Sequence, residues 1–318
     1  SYAGEGIMGD DLSAAWYNPA GMTLLPGTQL QIGGYDVEMD LSYKGESGAR
    51  ENGRKRSSPL LHQFITHQFN DKLWGGMAIV MPYGLSTSFD PDWEGAERGY
   101  DARLLTITLN PSLAWKVSDK LSLGAGFQAQ HIDATISMKK NVMGASAYSR
   151  LEASDWAYGW NVGAMWSPSE KLRFGFGYRS QMNHSAHGHV DLSVNKDTQA
   201  ALAAKLSKLS PAQLSAMLNQ TGLSMADAMS VMQTGTVALS GGASMKSPAN
   251  ANLTFVYEYS PKMRISGSLR WTDWSSLGTL GVTAGSVPHE QTDVKMNWRD
   301  TWFASLGYDL DITPKWTI

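Results

Sequence analysis

Cysteine is absent from the 318 residues, which removes disulfides, thiolate metal sites and cysteine nucleophiles. An excess of one charge is absent too. The 26 basic and 29 acidic residues leave a net charge of −3, whereas a nucleic-acid binder usually concentrates a basic patch. No apolar run reaches the roughly 18 residues of a membrane-crossing helix. The most apolar stretch is the short "MAIVMPYGL", and membrane-crossing strands remain open. Phenylalanine is scarce at 8, while Trp and Tyr stand at 12 each and Gly at 32. Aromatics with one polar end collect at membrane interfaces, and glycine fits crowded barrel interiors. The length alone suits one large β domain or two ordinary ones. No signal-peptide pattern is visible and the chain opens inside an ongoing feature, so residues ahead of Ser1 are expected in the natural protein.

What is present is strict alternation. In "DWAYGWNVGAMW", Trp156, Tyr158, Trp160, Val162, Ala164 and Trp166 share one face, and Ala157, Gly159, Asn161 and Gly163 the other. In "KLRFGFGYR", Leu172, Phe174, Phe176 and Tyr178 oppose Arg173, Gly175, Gly177 and Arg179. In a soluble sandwich the apolar face would be core. Large aromatics on one face and glycines on the other suit a barrel turned inside out.

A repeat marks the turns. "FNDKLWGG", "VSDKLSLG", "SPSEKLRFG", "YSPKMRISG" and "ITPKWTI" each end a strand and start another at a lysine: Lys72, Lys120, Lys171, Lys262 and Lys315. The gaps are 48, 51, 91 and 53, and removing the 38 or so residues between Lys196 and Thr234 reduces the odd gap to about 53. Short turns on one side and long loops on the other is the layout of an outer-membrane barrel. Strands are expected over 28–43, 58–69, 73–88, 103–117, 121–138, 151–166, 171–190, 248–259, 263–274 and 295–310, with one more beginning at 315. An odd count cannot close a bacterial barrel, so further residues are expected past the C-terminus.

Two segments break the alternation. Residues 195–234 read as three helices with stripes Leu202/Leu206/Leu209, Leu214/Met217/Leu218 and Met225/Met229/Met232. Ser210 with Gln213 and Ser224 with Asp227 form their capping boxes. At the N-terminus a helix is expected from Asp11, its cap, to Tyr17, ended by Asn18-Pro19 and then Gly21.

With these pieces in place the sequence resembles the FadL family, outer-membrane channels of Gram-negative bacteria that import long-chain fatty acids and other hydrophobic compounds. "YAGEGIMGDDLSAAWYNPAGM" is similar to the family's N-terminal hatch with its Asn-Pro-Ala motif, "MPYGLSTSF" to its kinked third strand, and the helical insert lies where the family has one. The resemblance implies an all-β, transmembrane antiparallel β-barrel of fourteen strands when complete, about eleven of them here. Residues 1–26 would be a hatch plugging the lumen through Leu12, Trp16, Asn18, Pro19, Ala20, Gly21 and Met22. Residues 27–318 would be the barrel, with 195–234 an extracellular loop.

The family reading makes Pro82, Tyr83, Gly84 and Leu85 a lateral gate. Pro lacks an N–H and Gly tolerates unusual backbone angles, so a break in the ladder is expected there; the plainer reading is a curvature device. Met217, Leu218, Met225 and Met229 become a ligand-collecting groove, although stripes of this kind are also ordinary packing faces. Where fatty-acid importers hold the carboxylate with a basic residue, the alignment places Met138 followed by Lys139 and Lys140, which implies a less polar ligand. The resemblance further implies the Gram-negative outer membrane, a monomer, contact with outer-membrane lipid and lipopolysaccharide, and a fatty acid, hydrocarbon or detergent as ligand. No cofactor, nucleic acid or enzymatic activity is expected. His184, His187 and His189 have a spacing that could hold a metal, but a hydrated strand end explains them as well. A diffusion porin or a structural, adhesive barrel is the alternative; a porin would need a polar constriction with opposed charges and no apolar hatch.

Overall fold

Tight reversals set the frame. In the computed structural model, which describes residues 3–45, 48, 50–142, 145–221, 223–284, 292–313, 316 and 317, two-residue turns stand at 71–72, 119–120, 170–171 and 261–262. At each one the turn lysine's carbonyl accepts from the next strand but one: Lys116 N to Lys72 O at 2.9 Å, Ser167 to Lys120 at 2.8 Å, Glu258 to Lys171 at 2.7 Å and Asp311 to Lys262 at 2.8 Å. Lys315, the fifth of the series, lies outside the described residues.

The strands are β1 (Thr28–Glu38), β2 (Ser42–Lys44), β3 (Arg50–Asn52), β4 (Ser57–Asn70), β5 (Leu73–Val80), β6 (Gly84–Ser88), β7 (Asp101–Ser118), β8 (Leu121–Val142), β9 (Ala145–Ser169), β10 (Leu172–Arg179), β11 (Met182–Ser193), β12 (Thr236–Ser247), β13 (Asn250–Ser260), β14 (Met263–Thr272), β15 (Thr279–Ala284), β16 (Thr292–Lys295), β17 (Thr301–Thr313) and β18 (Trp316–Thr317). Pairing is antiparallel between neighbours in the order β1-β4-β5-β7-β8-β9-β10-β13-β14-β17-β18. β11 pairs with β9 and β12.

The inside-out expectation is met. Trp156, Tyr158, Trp160 and Trp166 are 47–63 % exposed on the outer face, whereas Asn110, Gln128 and Gln130 on the inner face are wholly buried. Among the described residues no helix is long and apolar enough to cross a membrane, and the crossing is made by strands.

The sheet curls around the N-terminal segment. That segment consists of helix α1 (Ala14–Tyr17) and a 3₁₀ helix (Pro19–Leu24). It is bonded to β1 (Leu12 N to Gln31 Oε1, 3.1 Å), β5 (Trp74 Nε1 to Leu25 O, 2.9 Å), β8 (Thr23 Oγ1 to Ser122 Oγ, 2.9 Å), β9 (Asn18 Nδ2 to Ala164 O, 3.0 Å) and β14 (Gly4 N to Ser268 Oγ, 2.9 Å). One short segment can touch both ends of so wide a sheet only if the sheet closes round it. Leu12, Met22 and Leu25 are buried against Phe64, Trp74 and Val80, with Trp16 packed beside them. Ile7 and Ala20 are buried against Met165 and Val256.

Several expectations need correction. The α-helix begins at Ala14, not Asp11; residues 11–13 form a turn ahead of it, in which the Asp11 carbonyl accepts from Ala14 N at 3.4 Å and the Asp11 carboxylate accepts from the Ser13 N–H at 2.9 Å and hydroxyl at 2.6 Å, the bond by which a cap holds a helix start. Asn18 is extended (φ −153°, ψ 97°) and ends α1, but Pro19 then opens the 3₁₀ helix, where its fixed φ and missing N–H are suited to a first helical position. Gly21 is a point of close approach and not a stop: a β-carbon there would run into the Gly6 carbonyl. β12 was not expected, since Gly241-Gly242 dilutes its alternation. β10 and β11 are interrupted at 180–181, and β1 ends at Glu38.

The helical insert is α2 (Lys196–Leu206), α3 (Pro211–Thr221) and α4 (Met225–Thr234), at the end of the wall remote from the lysine turns. Both capping boxes are formed.

The inner face is glycine-rich because the N-terminal segment lies on it. A β-carbon on Gly124 would strike Pro19, one on Gly163 would strike Asn18 and Pro19, and one on Gly175 would strike Ile7 and Asn18. Gly163→Val is therefore expected to unseat residues 3–26 at a loss of roughly 1–3 kcal/mol. Protease should cleave this segment in the variant, while the strand region keeps the heat-modifiable gel mobility of a folded barrel.

Candidate functional site: a cavity at a break in the wall

Proline has no N–H for a ladder, and pairing fails around Pro82. β5 pairs with β4 on one side and β7 on the other as far as Val80, which lies opposite His62 and Thr108. β6 resumes against β7 alone, from Gly84 opposite Leu105 to Ser88 opposite Asp101. Residues 57–61 of β4 are paired with β1 and, among the described residues, with nothing on their other edge. The wall thus forks at His62. Thr106 mends the β7 side: its hydroxyl accepts from the Tyr83 N–H at 3.0 Å and donates to the Tyr83 carbonyl at 2.9 Å.

Gly84 has no positive φ, so unusual backbone angles are not its reason. It leaves space instead: a β-carbon there would meet only Leu60 Cδ2 at 3.8 Å and Leu104 O at 4.0 Å. Leu85 is exposed and lies opposite Leu104.

A cavity of about 590 Å³ lies between this fork and the N-terminal segment. Trp16, Tyr17 and Phe64 line one end and Met81, Pro82 and Tyr83 the other. Leu61 and His62 also line it. Together with Met81, Pro82 and Tyr83 they flank the gap in pairing, so the space reaches the wall at the break. Tyr83 meets Trp274 edge to face at 6.1 Å, and Trp274 meets Trp298 at 5.2 Å, roofing the far end.

Two guanidinium groups border the cavity. Arg270 is ion-paired with the buried Glu5 and lies 5.1 Å from the Tyr17 ring. Arg179 is buried, with its Cζ 3.3 Å from the centroid of the Trp16 ring. It donates to Gln128 Oε1 at 2.6 Å and to the Trp16 carbonyl. All its acceptors are neutral, and no carboxylate is paired with it among the described residues. Buried charges are ordinarily paired.

The other sequence candidates are elsewhere. Met138 is buried opposite Ser149, and Lys139 is ion-paired with Asp92 at 2.7 Å; neither lines the cavity. Leu218 is buried against Leu223 and Ala228 with Leu214 beside it, so these two leucines are packing. Met225 and Met229 are about half exposed on α4, and Met217 lies on α3. His184 points inward, its Nε2 hydrogen-bonded to Gln130 Oε1 at 2.9 Å, whereas His187 and His189 point outward. The three do not converge, and no metal-ligating group of three occurs among the described residues. Arg179 and His62 were not singled out from the sequence. The available signal was Arg179 on the glycine-bearing face of "KLRFGFGYR", a charge directed into the lumen.

An outer face of aromatics, an inner face of polar residues and glycine, and an interior cavity beside a lodged N-terminal segment define a membrane-spanning β-barrel of the transport class. The chain belongs to the family described as outer membrane protein transport protein (OMPP1/FadL/TodX), whose model matches residues 1–318. It is accordingly an outer-membrane protein of the Gram-negative type, in a family of transporters and not of enzymes. The long-chain fatty acid transport protein of Salmonella typhi is 23 % identical over 344 residues, covering all of this chain and 72 % of that protein. A crystal structure of a Pseudomonas aeruginosa FadL homologue superposes with a TM-score of 0.81 at 24 % identity, covering 99 % of this chain and 76 % of the other. The Ralstonia pickettii toluene transporter TbuX superposes at 0.66 and 17 % identity, covering 96 % and 79 %.

At the outer rim, the Lys139 ammonium and then the Tyr148 hydroxyl, 3.0 Å away, hold the Asp92 carboxyl below its ordinary range. A depressed pKa contributes stability that is lost only as pH falls through the depressed value. The 89–100 loop should therefore stay anchored through the usual aspartate range, near about 3.9, and release below it. In Lys139→Met the release should move to higher pH, read as pepsin cleavage within the loop against pH.

Proposed function

We propose that this chain is a passive channel for amphiphilic hydrophobic molecules, which bind in the cavity beside Trp16 and leave sideways through the break at Met81–Tyr83. The observation that carries this reading is that the cavity is lined by Leu61, His62, Met81, Pro82 and Tyr83, the residues that flank the break in pairing. A molecule held there gains nothing by entering periplasmic water. Passage into lipid keeps its surface dry, at roughly 25 cal/mol per Å² of apolar area. No energy source is required beyond this transfer.

Arg179 bears on the ligand's polar end. A buried guanidinium with only neutral partners supports an anionic headgroup, against the less polar ligand that Met138 suggested. The similar proteins fit an apolar body: one is a long-chain fatty acid transport protein and another a toluene transporter. The N-terminal segment acts as the hatch in this reading, with Leu12, Trp16 and Met22 as its wedge and Asn18–Gly21 as its fixed point. Met217, Met225 and Met229 are its outer collecting surface.

Arg179→Gln should weaken palmitate binding to the purified protein by about 1.5–3 kcal/mol, roughly ten- to a hundredfold. Binding of the uncharged alcohol of the same chain length should change far less. Equal loss for both would remove the anionic head from the reading.

The exit is tested separately. Gly84→Val places methyl groups toward Leu60, bridging the fork. Uptake of radiolabelled palmitate by cells should fall several-fold while the purified variant still binds it. Uptake at the normal rate would favour an axial path past a displaced hatch.

A further inference from the structure

His62 is the last residue of β4 bonded to β5, so it stands at the point of the fork. Its neighbours are not equivalent. Leu61 faces outward, and Phe64 is buried and locked among the hatch residues Leu12, Ala15 and Met22. His62 alone of these three is inward-facing and only partly buried, at the cavity's edge. Its imidazole is 5.6 Å from the Phe64 ring and 6.2 Å from that of Tyr35, both tilted at 41°. Among the described residues neither ring nitrogen is hydrogen-bonded, so no bond ties the ring down.

The partner strand carries a gap in the matching place. Gly33 lies directly opposite His62, with Gly34 beside it. The imidazole lies over the Gly33 α-carbon, and a β-carbon there would fall 2.6 Å from the ring's Cε1. Glycine weakens a strand interior, and its use there commonly marks a close approach. Here what approaches is the His62 ring.

We infer that His62 sets the bore of the sideways exit and that Gly33 is the recess into which it retracts. With the ring on Gly33 the passage beside Val80, Met81 and Pro82 is open; with the ring displaced, the passage narrows. Two side-chain torsions suffice for that movement. The inference rests on the sideways exit proposed above.

The test is palmitate uptake by cells carrying the full-length protein, with palmitate binding to purified protein measured alongside. Gly33→Val fills the recess and displaces the ring, so uptake should fall several-fold with binding retained. In a His62→Ala background the same Gly33→Val change should cost less than twofold. Normal uptake by Gly33→Val, or an equal loss with and without His62, overturns the inference. Gly84→Val serves as the reference: if it blocks uptake and Gly33→Val does not, the exit stands and only the role of His62 fails. If Gly84→Val also transports normally, the exit itself fails. Should Gly33→Val not reach the membrane, His62→Cys gives a second route, because the chain has no cysteine of its own. Labelling with a bulky methanethiosulfonate on intact cells should stop uptake, and dithiothreitol should restore it. Unchanged uptake after complete labelling overturns the inference.

Discussion

The seat of Asn18 and Pro19 on the inner wall is the contact around which the rest is arranged. Asn18 is fully buried, its amide nitrogen bonded to the Ala164 carbonyl and its oxygen accepting from Ala20 N at 3.1 Å. It fits only because Gly163 and Gly175 present no side chain beneath it, as Gly124 presents none beneath Pro19. From this fixed point the rest follows in both directions. Upstream, α1 ends and places the Trp16 ring against Arg179. Downstream, Pro19 starts the 3₁₀ turn that drives Met22 and Leu25 into the Phe64–Trp74 cluster. The cavity is the part of the lumen left beside this filling, bordered by the Trp16 side and by the fork.

The wall is interrupted twice, and the two places show opposite solutions to one problem. Lipid supplies no hydrogen bonds, so irregular backbone must be satisfied by protein or line a cavity. Between β9 and the β10–β11 junction, regular pairing lapses from Arg179 to His187. There Trp160 N donates to Ser180 Oγ at 2.9 Å, Ser185 N donates to Asp155 Oδ2 at 2.8 Å, and Met182 lies over Gly159. The gap is sealed. At Met81–Tyr83 the Thr106 hydroxyl satisfies only one side, and the other opens into the cavity. The same device, a side chain standing in for a missing ladder bond, closes the wall in one place and leaves one edge unpaired beside the cavity in the other.

Much of this was legible in the chain. Period-two alternation, the lysine turns and the capped helical insert are local signals, and each states its own structure. The break at Pro82 was legible because the missing N–H is a property of one residue. What escaped were properties of pairs. That Gly33 faces His62 depends on register, and that Arg179 faces the N-terminal segment without a carboxylate depends on how the sheet curls; neither is written in the spacing of residues along one strand. The N-terminus is partly hidden for a similar reason, since Gly21 looks like a helix stop in the sequence and only the fold shows that Gly6 crosses it. β12 was hidden by Gly241-Gly242, whose place in a strand depends on its partners β11 and β15.

The N-terminal segment's longest bonds bear on how the molecule is assembled. Gly4 is bonded to Ser268 across 264 positions, Glu5 is paired with Arg270, and Asp10 with Arg264. The first residues of the chain therefore have no complete seat until β14 is in place. Contacts between such distant positions form slowly, because the loop between them must be ordered first. The segment has to remain within the curling sheet while the strands are added, and is made early but settled late. A wall that rolled up before β14 arrived would trap it unanchored at its N-terminal end, so the order of strand addition is part of what this sequence must encode.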